Sequence, residues 1–230
     1  MFNGKMKAFT MSYDDGVFQD IRLIEILNRY GLKATFNLNS GLFGQQRILQ
    51  VRGVPVNHNR LKAEDIRGIY AGHEVAAHTV THAMLPECSQ EEIVREVEAD
   101  RLALSELTGY EVVGMAYANG GENNNDTVAQ VIRERTNIQY ARTITCTGNF
   151  AIQKNLLRYN PTVFHLRMDE MFALGEQFLA MEPETPQLFY VWGHSYELDA
   201  ENTWNRFEEF CRMMSGHPDV FYGTNREVLL

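Results

Sequence analysis

Cysteine is scarce and scattered: Cys88, Cys146 and Cys211 are odd in number, far apart and without a CxxC pair. They read as ordinary reduced thiols, which excludes a disulfide framework and a thiolate zinc site. No long cluster of Lys and Arg is present, and the net charge is −9. Nucleic acid and anionic membrane surfaces need concentrated basic residues, so neither is expected as the main partner. A neutral or cationic substrate is easier to accommodate. No apolar run reaches membrane-spanning length, and MFNGKMKAFTMSYDDG lacks the apolar segment of a secretory signal. The expected location is therefore cytoplasmic. Repeats, linkers and low-complexity tracts are missing too, so residues 1–230 read as one domain.

What the chain does have is alternation. Lys7–Tyr13 reads as a first strand, stopped sharply by Asp14-Asp15-Gly16. A helix is expected over 17–30, with Phe18, Ile21, Ile24 and Leu27 at three-residue steps and Gly31 closing it. Ala34–Leu38 reads as a second strand, and Asn39–Arg60 as a long aperiodic loop, a feature that is often functional. A short helix over 61–70 precedes the strand that follows Gly72. Ser89 and Glu92 form a capping box for a long helix whose buried face is Ile93, Val97, Leu104 and Leu107. Further strands are expected at 110–116, 138–143, 187–192 and 220–222. Helices are expected at 126–136, 169–181 and 203–214, with Thr224 and Glu227 capping a last turn. Strands alternating with helices imply parallel pairing with helical crossovers, hence an α/β barrel. The 44% hydrophobic content suits the core of such a domain.

The chemistry concentrates at three strand ends. His73–Leu85 contains His78-Thr79-Val80-Thr81-His82, and two histidines four apart can reach one ion if the backbone makes one turn. The alternative is a hydrogen-bonded surface pair. A zincin protease is not supported, because the residue after the first histidine is Thr79 rather than glutamate. Asp14 and Asp15 can divide their roles: Asp15 as the third ligand of zinc, Asp14 as general base toward a water held in the open position. Equally, an Asp-Asp-Gly turn can simply cap the next helix. His194 follows an aromatic strand and a glycine, where a protonated ring could act as general acid or merely be satisfied at a strand terminus.

Taken together, SYDDG at 12–16, HTVTH at 78–82 and the late Gly193-His194 resemble the NodB-type polysaccharide deacetylases, carbohydrate esterase family 4. The resemblance lies in an ordered set of short motifs over about the first 200 residues. It implies a distorted (β/α) barrel, a divalent metal (zinc, with cobalt, nickel or iron as alternatives), and hydrolysis of the acetamide on an N-acetylated sugar. By motif position Asp14 is the base, Asp15, His78 and His82 are the ligands and His194 is the acid. The family's third motif falls on residues 116–120, which nominates the backbone amide of Asn119 as oxyanion donor. The arginine that ordinarily pairs with the base falls on Ala116; Arg142 is the candidate replacement, with a plain surface salt bridge as the equal alternative, and it is counted among the candidate substrate contacts. Tyr117, Trp192 and Tyr196 are candidates for an aromatic floor under a sugar ring. His58 is expected to help shape the pocket, whereas His73, His165 and His217 read as ordinary structural histidines. Two alternatives accompany this reading: a hydrolase of a small non-sugar amide or imide, and a sugar-binding pseudoenzyme on the same barrel.

Overall fold

A computed structural model describes residues 2–230. Its centre is β1 (Lys7–Asp14), buried along its whole length, as a parallel strand covered on both faces must be. One edge of β1 pairs with β9 (Gln187–Gly193). The other edge is shared: Met11–Asp14 pair with β2 (Ala34–Leu38), and Lys7–Phe9 pair with β10 (Val220–Tyr222). Beyond β2 come β5 (Glu74–Ala77), β6 (Gly114–Ala116) and β7 (Tyr140–Arg142). Beyond β9 lies β8 (Val163–Phe164). All pairings in this eight-stranded sheet are parallel, and it curls without full closure. The segment between β7 and β8 crosses the opening with a single parallel bridge from Arg142 to Tyr159. This is the expected α/β barrel, short of eight complete units.

Helices α1 (Gln19–Arg29), α2 (Ile66–Ile69), α3 (Gln90–Thr108), α4 (Asp126–Arg135), α5 (Met168–Ala180), α6 (Ser195–Ala200), α7 (Trp204–Met214) and α8 (Asn225–Leu229) complete the fold. The Ser89–Glu92 capping box is present at α3, which closes on Gly109 at φ 80°. Among the described residues, no helix is long and apolar enough to cross a membrane.

Several sequence expectations need correction. The apolar stripe of α1 is not the three-residue series: Phe18 and Ile21 are exposed, while Leu23, Ile24, Ile26 and Leu27 face the core beside a buried Asp20. Helical period 3.6 drifts away from strict steps of three, so the series rotates off the buried face. The loop at 39–60 contains an antiparallel hairpin, β3 (Ile48–Val51) and β4 (Val54–Asn57), turned by Arg52 and Gly53 at positive φ. Its strands alternate only weakly and sit outside the main sheet. The expected strands at 110–116 and 138–143 shrink to three residues each, and β8 is only two residues long.

Candidate active site

The residues singled out at strand ends converge at the C-terminal edge of the sheet, where functional groups collect in α/β barrels. Asp14 ends β1, His78 follows β5, Asn119 follows β6, Arg142 ends β7 and His194 follows β9. They surround a cavity of about 310 Å³, lined among others by Asp14, Asp15, His78, His82, Asn119 and His194.

Local backbone strain marks the same place. Among the described residues, four of the eight non-glycine positions with positive φ belong to this rim: Asp15 (89°), Thr79 (67°), His82 (62°) and Asn119 (68°). The left-handed region is costly for any side chain and most costly for a β-branched one such as Thr79. The surroundings must hold it in place. Helix α3 does so through Glu96 and Asp100, one turn apart on its buried face. Asp100 accepts from the amides of His78 (2.8 Å) and Ser40 (2.7 Å). Glu96 accepts from both the amide and the hydroxyl of Thr81. From the other side Asn39 donates to the carbonyls of His78 (2.5 Å) and Thr79 (2.8 Å). The histidine loop is thus a turn, not a helix, clamped between α3 and the end of β2.

Asp15, His78 and His82 meet: a ligand atom from each lies within 4.8 Å of the others. Nε2 of His82 is 3.6 Å and Nε2 of His78 is 4.0 Å from Oδ1 of Asp15. His78 donates from Nδ1 to the carbonyl of Ala116 at 2.9 Å, which fixes the tautomer and leaves the Nε2 lone pair facing the cavity. Burial lowers the pKa of His78, and lowers that of His82 to about 4, so both rings are neutral, as ligation requires. Oδ1 of Asp15 is buried yet accepts no hydrogen bond. A carboxylate oxygen that accepts no hydrogen bond, with only the Arg60 guanidinium 3.0 Å away on one side and two aimed imidazoles on the other, fits a divalent cation, and the N/N/O donor set suits zinc.

The two aspartates are held differently. Arg142 donates from Nη2 to both carboxylate oxygens of Asp14, and Asn37 donates to Oδ1 at 2.7 Å. Burial alone would raise the pKa of Asp14, but Arg142 and the neighbouring histidines hold it below the usual carboxylate value. Arg142 is fully buried and stacked 4.6 Å over Trp192, so it serves Asp14 and is not exposed to a substrate. It occupies the electrostatic position that Ala116 leaves empty. Asp15 instead accepts from Nε2 of His58 at 3.1 Å, while Arg60 reaches its carbonyl and sits 3.0 Å from Oδ1. Burial opposes ionisation here too, and His58 and Arg60 outweigh it, leaving Asp15 well below the usual range. The 39–60 segment supplies both residues. Arg60 gave no sequence signal, because its partner is 45 residues away.

His194 points Nε2 toward Asp14, 3.9 Å from Oδ2, and bonds through Nδ1 to Glu197 at 3.0 Å. The same Oε2 of Glu197 also meets Nε2 of His165 at 2.9 Å. His165 is therefore not a bystander: it braces the carboxylate that braces His194. Burial would lower the pKa of His194, but Glu197 and the two aspartates raise it to about 9. Glu197 in turn is held well below its ordinary value against burial, chiefly by the charge on His194. Gly193 makes the packing possible, since a Cβ there would stand 2.2 Å from the ring of His165.

The backbone N–H of Asn119 makes no hydrogen bond within the described residues, while its side chain donates to the carbonyl of His82 at 2.9 Å. The aromatic trio is less open than expected. Tyr117 is buried with its hydroxyl committed to the carbonyl of Leu157 (2.8 Å). Trp192 lies under Arg142, and Tyr196 packs between the rings of His58 (4.8 Å) and His194 (5.2 Å). All three reach the cavity wall.

The sequence pattern of the family described as polysaccharide deacetylase matches residues 3–140, and the chain belongs to that family. Among solved structures, a family 4 carbohydrate esterase from Streptomyces lividans, in complex with acetate, superposes with a TM-score of 0.59 at 14% identity. That match covers 96% of this chain and 93% of the other. A deacetylase from Streptococcus pyogenes, also with acetate, gives 0.53 at 23% identity over 65% of this chain; the match spans only 61% of that protein. A family 4 pseudoenzyme from Bacillus anthracis gives 0.57 at 18% identity, covering 100% of this chain and 67% of its own. No curated protein sequence matches.

Proposed function

We propose that residues 1–230 form one catalytic domain that removes acetyl groups from N-acetylated sugars with the help of a divalent cation. The observation that carries this reading is the convergence of Asp15 with two neutral imidazoles, ligand atoms within 4.8 Å of one another, with Asp14 and His194 on either side of the same cavity. Asp15, His78 and His82 would hold the cation, zinc by preference. When bound, it would polarise the acetamide carbonyl and make an adjacent water more acidic.

The chain's own groups do the remaining work. Asp14, kept ionised by Arg142, takes the proton of the attacking water at Oδ2. The unpaired N–H of Asn119 donates to the oxygen on which charge accumulates, a contact worth roughly 3 kcal/mol of barrier. His194, protonated at neutral pH, gives the Nε2 proton to the departing sugar amine. Glu197 keeps that ring turned and charged. Tyr196 and Trp192 border the sugar.

Acetate release from N-acetylglucosamine oligomers, with and without a chelator, tests the reading. Release that the chelator abolishes and zinc restores is expected. Metal-loaded protein that releases nothing from sugars but hydrolyses a small amide or imide would move the substrate class. Inertness toward both, with sugar binding intact, would make the chain a sugar-binding pseudoenzyme.

A further inference from the structure

The charge balance of the cavity runs opposite to that of the chain. Although the protein carries a net −9, every acid of the cavity wall has a cation of its own. Asp14 is matched by Arg142, Asp15 by Arg60, and the charge on His194 is matched by Glu197. One cationic side chain on the wall is left over. Arg47 lines the cavity, and among the described residues no carboxylate lies within 4.0 Å of its guanidinium.

Arg47 is exposed, yet both its side chain and its backbone are tied down. Its Nε donates to Nδ1 of His58 at 3.2 Å, and Nε2 of that wholly buried ring donates to Asp15 at 3.1 Å. A neutral His58 satisfies both bonds at once, accepting at one nitrogen and donating at the other. The backbone is fixed as well: Arg47 accepts from the amide of His58 at 2.9 Å and donates to Asn59 at 3.2 Å. Nε being used, the two Nη groups are the part left to meet a ligand. A guanidinium presented this way takes a carboxylate or phosphate through paired N–H donors. A bound cation would make the cavity more positive still.

We infer that Arg47 is a specificity-determining residue, and that the N-acetylated sugar taken by this cavity carries an acidic substituent, a carboxylate or a phosphate, which Arg47 holds. This deepens the deacetylase reading and rests on it for the sugar. It reverses the expectation, drawn from overall charge, of a neutral or cationic substrate.

Binding rather than turnover tests it. Calorimetric titration of the metal-loaded protein would compare N-acetylglucosamine, N-acetylmuramic acid (the same ring with a carboxylate) and N-acetylglucosamine 6-phosphate. At least one acidic sugar is expected to bind about tenfold more tightly than the neutral one. Arg47→Gln should erase that preference, Arg47→Lys should keep part of it, and added salt should shrink it. Whichever acid gains identifies the group. Equal affinity for all three sugars, or a preference that survives Arg47→Gln with the thermal melt unchanged, would overturn the inference. Missing acetate release would count against the hydrolase reading alone, since the affinities are read independently.

Discussion

Strand β5 begins at one buried carboxylate and ends one residue before a candidate ligand, His78, so its two ends invite comparison. At the lower end Glu74 accepts from Thr35 (2.7 Å), Tyr140 (2.8 Å) and the amide of Arg226 (2.9 Å), which brings β2, β7 and α8 together. Both of its oxygens are satisfied. At the upper end Asp15 is equally buried, yet Oδ1 has no hydrogen-bond partner and the backbone around it is strained. Burial raises the pKa of Glu74, and its three donors offset this only in part; Asp15 is driven well below normal by His58 and Arg60. A fully satisfied buried acid is a structural joint. One with an oxygen that accepts no hydrogen bond, on strained backbone, is a candidate ligand.

The largest effect should come from breaking the upper end at its base. Asp14→Asn is expected to cut acetate release by about 10²–10⁴-fold, the usual worth of a positioned general base. Zinc content, measured by atomic emission, should be unchanged, because Asp14 is not among the ligands. The variant should also unfold more easily, by about 3–5 kcal/mol, since Arg142 would be left as a buried cation with a weakened partner. Normal turnover in Asp14→Asn would refute the role given to it.

A middle-sized effect belongs to Glu197. As an acid, His194 works while protonated, so activity should fall as pH rises through about 9. Glu197→Gln removes the main cause of that elevation, and the alkaline limb of kcat/KM should move toward an ordinary imidazole value near 6.5, costing up to about thirtyfold at pH 8. The sign for stability follows from the same shift. His194 has a folded pKa above its unfolded one, so its contribution is complete below about 6.5 and is lost as pH climbs through about 9. Glu197 has a depressed pKa, so its share exists above the unfolded carboxylate value and is lost as pH falls below it. An alkaline limb unmoved in Glu197→Gln would separate His194 from this carboxylate.

The convergence at the upper end was legible because each candidate ligand sits in a short motif just after a strand. Asp14-Asp15-Gly16 and His78–His82 announce themselves locally, and parallel topology gathers them without further information. Arg142 was legible only as one of two possibilities, since its pairing with Asp14 depends on β6 and β7 lying side by side. His165 and Glu197 were missed for a physical reason. A two-residue strand has no measurable period, and Glu197, three residues after a histidine, looks like an ordinary helix cap. Arg60 and the position of His58 depend on a hairpin whose weak alternation hides its strands. The lower end was invisible in sequence: nothing in Glu74 foretells three donors from three distant elements.

Glu74→Gln sharpens the comparison from below. An amide cannot accept at both positions, so one of the three donors loses its partner at a cost of about 1–3 kcal/mol in a urea midpoint. Activity per folded molecule should match wild type, because Glu74 bonds to no residue that lines the cavity. If the turnover of folded protein fell with Glu74→Gln, the lower end would not be merely structural.

The smallest effect tests whether strain by itself signals function. Arg52 also has positive φ (49°), but it lies with Gly53 at a two-residue hairpin turn where both central residues need that conformation. Its ion pair with Glu201 spans 3.2 Å between exposed side chains and is worth little. Arg52→Asn should therefore stabilise the protein by a few tenths of a kcal/mol, since asparagine tolerates this region better than arginine. Thr79→Gly, which relieves the same strain at the upper end, also frees the loop between the two histidines and removes the hydroxyl that accepts from Ala83 at 2.9 Å. That variant should bind zinc more weakly in a competition titration despite its easier backbone. Equal zinc affinity in the two variants would mean that the rim's strain does nothing for the ligands, and the contrast between the two ends would then rest on the unsatisfied carboxylate alone.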